Sequence, residues 1–329
     1  MSHINVTING RQYRMACEAG QENRLLRLAE SPEARVANLR TAIQCANLNG
    51  TADVIDLNGQ SAFLTDAFAD YSGATGLPQI TSAITLRNGA IARNGAAPQF
   101  RIVAMSATAD LTLEGINMQG GSLGSLETGG AIFNASGALT LQNSFVTNSS
   151  AGFAGAIYHE NGALRMIDSV VSSNTSGSGG VITNAQGSVT IIDSTFAGNT
   201  HTGTGSSAGV LYNFSGTVTI GGSVFANNTT VGAAGAVQNF NGTVHIANSA
   251  FTGNSATTTG GALFNNNGTM TIANSRITGN TASVRGGGIY AQGGSLTVSN
   301  STMAGNNAPT DGGITIASGT SAAIARIAS

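Results

Sequence analysis

The chain has 329 residues and a formal net charge of −2, with charged residues at only 9% and neither lysine nor tryptophan present. That balance gives no reason to expect nucleic acid or an anionic membrane surface as a partner. Hydrophobic residues reach 41%, too many for a solvated coil, and small polar residues fill much of the rest, a mixture that suits stacked β-structure.

The N-terminal stretch differs in composition from the remainder of the chain. Residues 1–40 hold ten of the 28 charged groups, whereas residues 130–310 hold six. Met1 to Val6 lacks the apolar run of a signal peptide, and no stretch of about 18 apolar residues occurs anywhere, so no spanning helix is expected. Cys17 and Cys45 are the only cysteines. They flank the change in composition, and their spacing leaves open whether they pair. From Val36 to Asn47 the chain carries Leu39, Ile43 and Ala46 at helical spacing. This predicts a short amphipathic helix that covers the open end of a core behind it. Val54 to Leu57, Ile84 to Gly89 and Leu111 to Ile116 then read as early, less regular coils.

From residue 130 three landmarks recur in step. The first is an aliphatic after Gly-X: Ile132, Ile157, Ile182, Leu211, Val237, Leu263 and Ile289. The second begins a short alternating strand, from Leu139 to Leu296, and the third is a serine series from Ser144 to Ser301. All three step by 25, 25, 29, 26, 26 and 26 residues. A shared period with a shared insertion before Leu211 is the signature of a solenoid. Each repeat reads as three short strands. In the first, Leu139 and Leu141 face one side while Thr140 faces the other.

The expected fold is therefore all-β: a right-handed parallel β-helix with three short strands per coil and an N-terminal helical cap. Its bounds are a leading segment at 1–33, cap helix and irregular coils at 34–110, regular coils at 111–316, and a tail or truncated coil at 317–329. Two inward aliphatic ladders are expected, one from Leu141 to Val298 and one from Val146 through Phe196, Phe225 and Phe251 to Met303. Asn134, Asn184, Asn213, Asn239 and Asn265 form a turn column, with His159 and Ala291 in its other places. Stacked amides at such positions are expected to hydrogen-bond from coil to coil. A second asparagine column runs from Asn174 to Asn306. Gly312-Gly313-Ile314 opens a further coil, and an open edge there would template self-association.

Two strings, Gly129 to Ile132 and Gly260 to Leu263, with four more, Phe145 to Asn148, Phe196 to Asn199, Phe225 to Asn228 and Phe251 to Asn254, resemble a known repeat. They are similar to the paired GGA-[ILV] and FxxN motifs of chlamydial polymorphic outer-membrane proteins and related bacterial surface β-helices. The resemblance covers 129–306 and implies an extracellular or cell-surface setting. The preceding region, including Ala52 to Leu57 and Leu77 to Ala90, resembles the cap of secreted β-helix proteins with a CSLREA-type start. Thr41 stands where that family has glutamate. Val6 to Glu30 resembles the start of the cell-division protein ZapA, a cytoplasmic FtsZ-associated family, which implies a division-associated role for that segment.

Enzymatic β-helices gather several charged groups on one outer face. The nearest approach here is Asp168 with Asp193, which share a column on consecutive coils. Carboxylates about 4.8 Å apart would repel and raise one pKa. The same column holds Asn143, Asn248, Asn274 and Asn300, however, so a turn-forming role accounts for both. His159 beside Glu160 has acid–base chemistry, yet His159 stands in the asparagine column. No metal or cofactor spacing occurs. The outward residues Phe133, Tyr158, Tyr212, Phe264 and Tyr290 form an aromatic column suited to stacking on sugars or to a protein contact. The reading is a non-catalytic surface or secreted β-helix, adhesin-like or structural, whose partner is a cell-surface protein or polysaccharide. The alternatives are a polysaccharide lyase or glycoside hydrolase using Asp168 and Asp193, and a division-associated scaffold acting through residues 6–30.

Overall fold

A computed structural model describes residues 3–8, 11–16, 32–71, 73–205 and 207–328. Cys17 lies outside the described residues, and with it the question of a Cys17–Cys45 bridge. Most of the ZapA-like segment lies outside them as well. Its described part is an antiparallel hairpin of β1 (His3–Ile8) and β2 (Arg11–Ala16).

The helix α1 (Pro32–Asn49) extends beyond both ends of the span predicted from spacing. Pro32 at its first position and Glu33 in its first turn favour that start, because proline has no N–H to leave without an acceptor there and the glutamate's negative charge suits the helix dipole. Gly50, at φ +69°, ends it in the left-handed conformation that closes many helices. Val36, Leu39, Ala42, Ile43 and Ala46 are buried in the same apolar cluster as the coil interior. Asn47 fixes the far end. Its Nδ2 donates to the Gln79 carbonyl at 2.7 Å, and its Oδ1 accepts from the Thr81 N–H at 2.8 Å. The helix is thus a lid on the solenoid.

Behind the lid lies a parallel β-helix. One face is a nine-stranded sheet running from Val103–Met105 through Ile132–Asn134 to Ile314–Ile316. A second face stacks strands such as Ala138–Gln142, and a third stacks strands such as Phe145–Thr147. The long strands Ala83–Arg93, Asp110–Gln119 and Ser295–Ala304 run across both of the latter faces. The coils also contain a fourth, two-residue strand not expected from the sequence. From Ser150–Ala151 to Thr281–Ala282 these stack into a six-stranded sheet. Two residues are too few to show alternation. Ser321–Ala328, expected as a tail or truncated coil, is a strand that pairs in parallel with Ser295–Ala304.

Coil-to-coil registers match the sequence period. Ile191 pairs with Ile220, and Leu164 with Val189. The inward ladders are almost wholly buried. Phe196, Phe225 and Phe251 stack at 4.5 and 4.8 Å between ring centres. Each such side chain contributes roughly 1.5–3 kcal/mol of apolar burial before entropy is counted.

Three polar ladders run inside the turns, where an unbonded amide would be costly. Asn184 Nδ2 donates to Asn213 Oδ1 at 2.7 Å, Asn213 to Asn239 at 2.8 Å, and Asn239 to Asn265 at 2.8 Å. The second column does likewise from Asn174 to Asn306, at 2.9–3.1 Å. The serines form the third. The Ser144 N–H donates to Ser169 Oγ, and the pattern repeats to Ser301.

Candidate ligand groove

On the first face, the residue after each inward aliphatic points outward. In register these residues are Phe133, Tyr158, Thr183, Tyr212, Gln238, Phe264 and Tyr290. The column does not stay exposed. Phe133, Tyr158 and Tyr212 are partly exposed, whereas Phe264 and Tyr290 are only 4% and 6% exposed. These two are therefore corrected from exposed binding residues to packing residues. They belong to a second apolar cluster with Ala208, Ala233 and Ala234, outside the main core. Those alanines lie in the segments that lead into the strands Leu211–Phe214 and Val237–Phe240.

Between the coils of Tyr158 and Tyr212 a groove of about 470 Å³ opens. Phe153 and Tyr158 stand on one side of it, Tyr212 and Phe214 on the other. Thr183 and Ala185 form the base, with Glu160, Asn161 and Gln186 as polar lining. Tyr158 stacks on Phe133 at 5.4 Å with ring planes 18° apart, and Phe153 meets Tyr158 edge-on at 5.8 Å. Across the groove Phe214 stacks on Phe240 at 5.4 Å. Thr183, in register between the two tyrosines, interrupts the column of rings. Burial pushes the Tyr158 phenol above its usual pKa, and the Glu160 charge adds to this; burial alone raises Tyr212. Both phenols are hydrogen-bond donors at neutral pH.

Phe153, Phe214 and Phe240 were not among the candidates from sequence. Phe214 and Phe240 are register partners one coil apart, so the period carried a signal for them. Phe153 lies in an irregular connection and left none.

The other candidates fall elsewhere. Asp168 and Asp193 are exposed, at φ 47° and 49°, in a turn column with Asn143, Asn248, Asn274 and Asn300 at 47–51°. Gly222 completes it at 62°. The left-handed conformation admits asparagine, aspartate and glycine far more readily than other residues, which explains both carboxylates. Asp193 Oδ1 lies against the place a side chain at Gly222 would take.

His159 is fully buried while its neighbour Glu160 is exposed, so the pair shares no surface. Asn134 Nδ2 lies 3.0 Å from His159 Nδ1. Asn134 Nδ2 is a donor, so Nδ1 must accept and the ring is neutral. Burial pushes its pKa down to about 4, only partly opposed by the backbone at Gly162 and Ser188. The ladder breaks there, and Asn184 Oδ1 has no hydrogen-bond partner. His201 is also buried, 2.9 Å from Thr230 Oγ1, and burial lowers its pKa. His245 is exposed between Thr219 and Thr271. Among the described residues no three His, Cys, Asp or Glu side chains gather in a metal-binding group, and no helix is long and apolar enough to cross a membrane.

The profile of the family described as cell division protein ZapA matches residues 4–52. No curated protein and no solved structure gives a significant match.

Proposed function

We propose that this chain is a non-catalytic bacterial β-solenoid, surface-displayed or secreted, with an adhesin-like or structural role. The observation that carries the reading is the groove at Tyr158 and Tyr212, where partly exposed rings and polar side chains line an opening, in contrast to the covered rings of Phe264 and Tyr290. The GGA-[ILV] and FxxN strings support it, because they resemble those of surface β-helices. The aspartates at 168 and 193 support it too, since their turn conformation accounts for them without chemistry. The test is binding of the intact chain to cell surfaces. Retention that falls in a Tyr158→Ala, Tyr212→Ala double variant with unchanged circular dichroism is expected. Cleavage of an acidic polysaccharide that disappears in Asp168→Asn would overturn the reading in favour of a lyase or hydrolase.

The second reading, a division-associated scaffold, rests on the family match at 4–52. That match includes α1, whose apolar face is already buried in the solenoid core. The reading therefore falls on the segment before α1, whose described part is the pair of strands β1 and β2. Co-sedimentation of the intact chain with FtsZ polymers would support this reading, and its absence would remove it.

A further inference from the structure

The groove has a chemistry narrower than a general contact surface, and a sharper assignment of its occupant rests on the adhesin-like reading. Its walls are aromatic, and among the described residues Glu160 is the one charged lining residue and no arginine lines it. The Glu160 charge is felt at the Tyr158 phenol, so its field reaches the aromatic wall. Aromatic faces carry negative charge density, and a carboxylate reinforces it. The complementary guest is a cation.

Shape narrows the choice. Phe133 and Tyr158 are stacked, Thr183 occupies the next layer, and Tyr212 the one after. Thr183 is itself only 1% exposed, so the opening is a shallow slot between the edges of two rings that lie two coil spacings, roughly 10 Å, apart. A flat guest suits it better than a tetrahedral ammonium. A guanidinium is flat, weakly hydrated, stacks on aromatic faces and forks onto a carboxylate.

We propose that the groove receives an arginine side chain presented by a protein partner, its guanidinium lodged between Tyr158 and Tyr212 and paired with Glu160. The side-chain carbonyls of Asn161 and Gln186 provide acceptors for its remaining N–H groups. Neutral glycans lack the charge that the groove is built to meet.

The test is a methyl-NMR titration of the intact chain with a blocked Gly-Arg-Gly peptide. The same peptide carrying citrulline, flat but uncharged, and maltotriose as a neutral glycan are the controls. The arginine peptide is expected to shift the Ala185 methyl signal and to bind at least about tenfold more tightly than the citrulline peptide. Glu160→Gln should remove most of that preference, and Tyr212→Leu, which keeps apolar volume, should weaken binding with the remaining spectrum unchanged. Equal binding of arginine and citrulline, or tighter binding of maltotriose, overturns the proposal. Cell-surface retention measured in parallel separates the two readings. Retention without arginine preference sinks only the guanidinium proposal, and no retention by the wild-type chain sinks the adhesin-like reading itself.

Discussion

From α1 to Thr128 the lid and the irregular coils are tied by arginine, whereas from Asn134 onward the coils are tied by asparagine and serine. Arg40 Nε donates to the Gly76 carbonyl at 3.0 Å, and its Nη2 pairs with Asp66. Arg87 pairs with Asp56 at 2.9 Å. Arg93 reaches the Gly120 and Ala97 carbonyls, each at 2.7 Å. Arg101, fully buried, donates to the Tyr71 carbonyl at 2.7 Å and to that of Thr128 at 2.9 Å, and lies over the Phe133 ring at 5.0 Å. An irregular coil leaves carbonyls at unrelated positions, and a long forked cation can reach several of them. A regular coil repeats donor and acceptor at one spacing. A short neutral amide then suffices, and no charge need be desolvated. Regularity replaces charge, which is why residues 130–310 need so few ionic groups.

Substitutions can break this contrast, starting with the most costly. Arg101→Leu leaves two carbonyls without their donor and is expected to cost about 2–6 kcal/mol, read by chemical denaturation, with faster hydrogen exchange confined to the first coils. A cost under about 1 kcal/mol would show that the arginine clamp is dispensable.

His159→Asn is the opposite experiment, a repair. A histidine whose folded pKa is depressed to about 4 loses stability as pH falls. The unfolded chain takes up a proton near pH 6.5, and the folded chain resists until about pH 4. The penalty accumulates through that window to about 3 kcal/mol. The variant should lose this acid limb and join Asn134 to Asn184. An unchanged stability profile between pH 7 and 4 would contradict the account.

Asn213→Ala removes the acceptor of Asn184 and the donor to Asn239. A loss of about 2–3 kcal/mol is expected, against little change for an exposed strand residue such as Thr217. Arg87→Gln should cost least, under about 1 kcal/mol, because the pair is partly solvated. Burial alone would raise Asp56, but the Asn58 N–H, Arg87 and Asn88 outweigh it and hold it below the usual carboxylate range. Its contribution is therefore present above about pH 4 and is lost on further acidification. Thermal melts at pH 5 and pH 3 of the two chains should converge at the lower value.

How far the sequence could be read reflects the same division. Ile191 against Ile220 was legible because a side chain's neighbour one coil away depends only on the period. The asparagine ladders were legible for the same reason. The burial of Phe264 and Tyr290 was not, because it depends on Ala208, Ala233 and Ala234 in connections whose path the period does not determine. The fourth strand was too short to alternate. The arginine clamps were invisible too, since an arginine in an irregular coil signals charge but not which carbonyl it reaches. The groove fell between these cases. Tyr158 and Tyr212 were visible in their column, but Phe153 and the interruption at Thr183 gained meaning only in three dimensions.

The coil register underlies the ladders, the groove and the repair, and cross-linking tests it most directly. Thr190 and Thr219 are register partners on adjacent coils, so their Cα atoms at about 4.8 Å are within disulfide reach. His245 is one coil further on. Under mild oxidation the Thr190→Cys, Thr219→Cys chain is expected to cross-link almost completely by peptide mapping, and the Thr190→Cys, His245→Cys chain not to do so. Cross-linking of the second pair in preference to the first, or of neither, would contradict the stacked register on which the account stands.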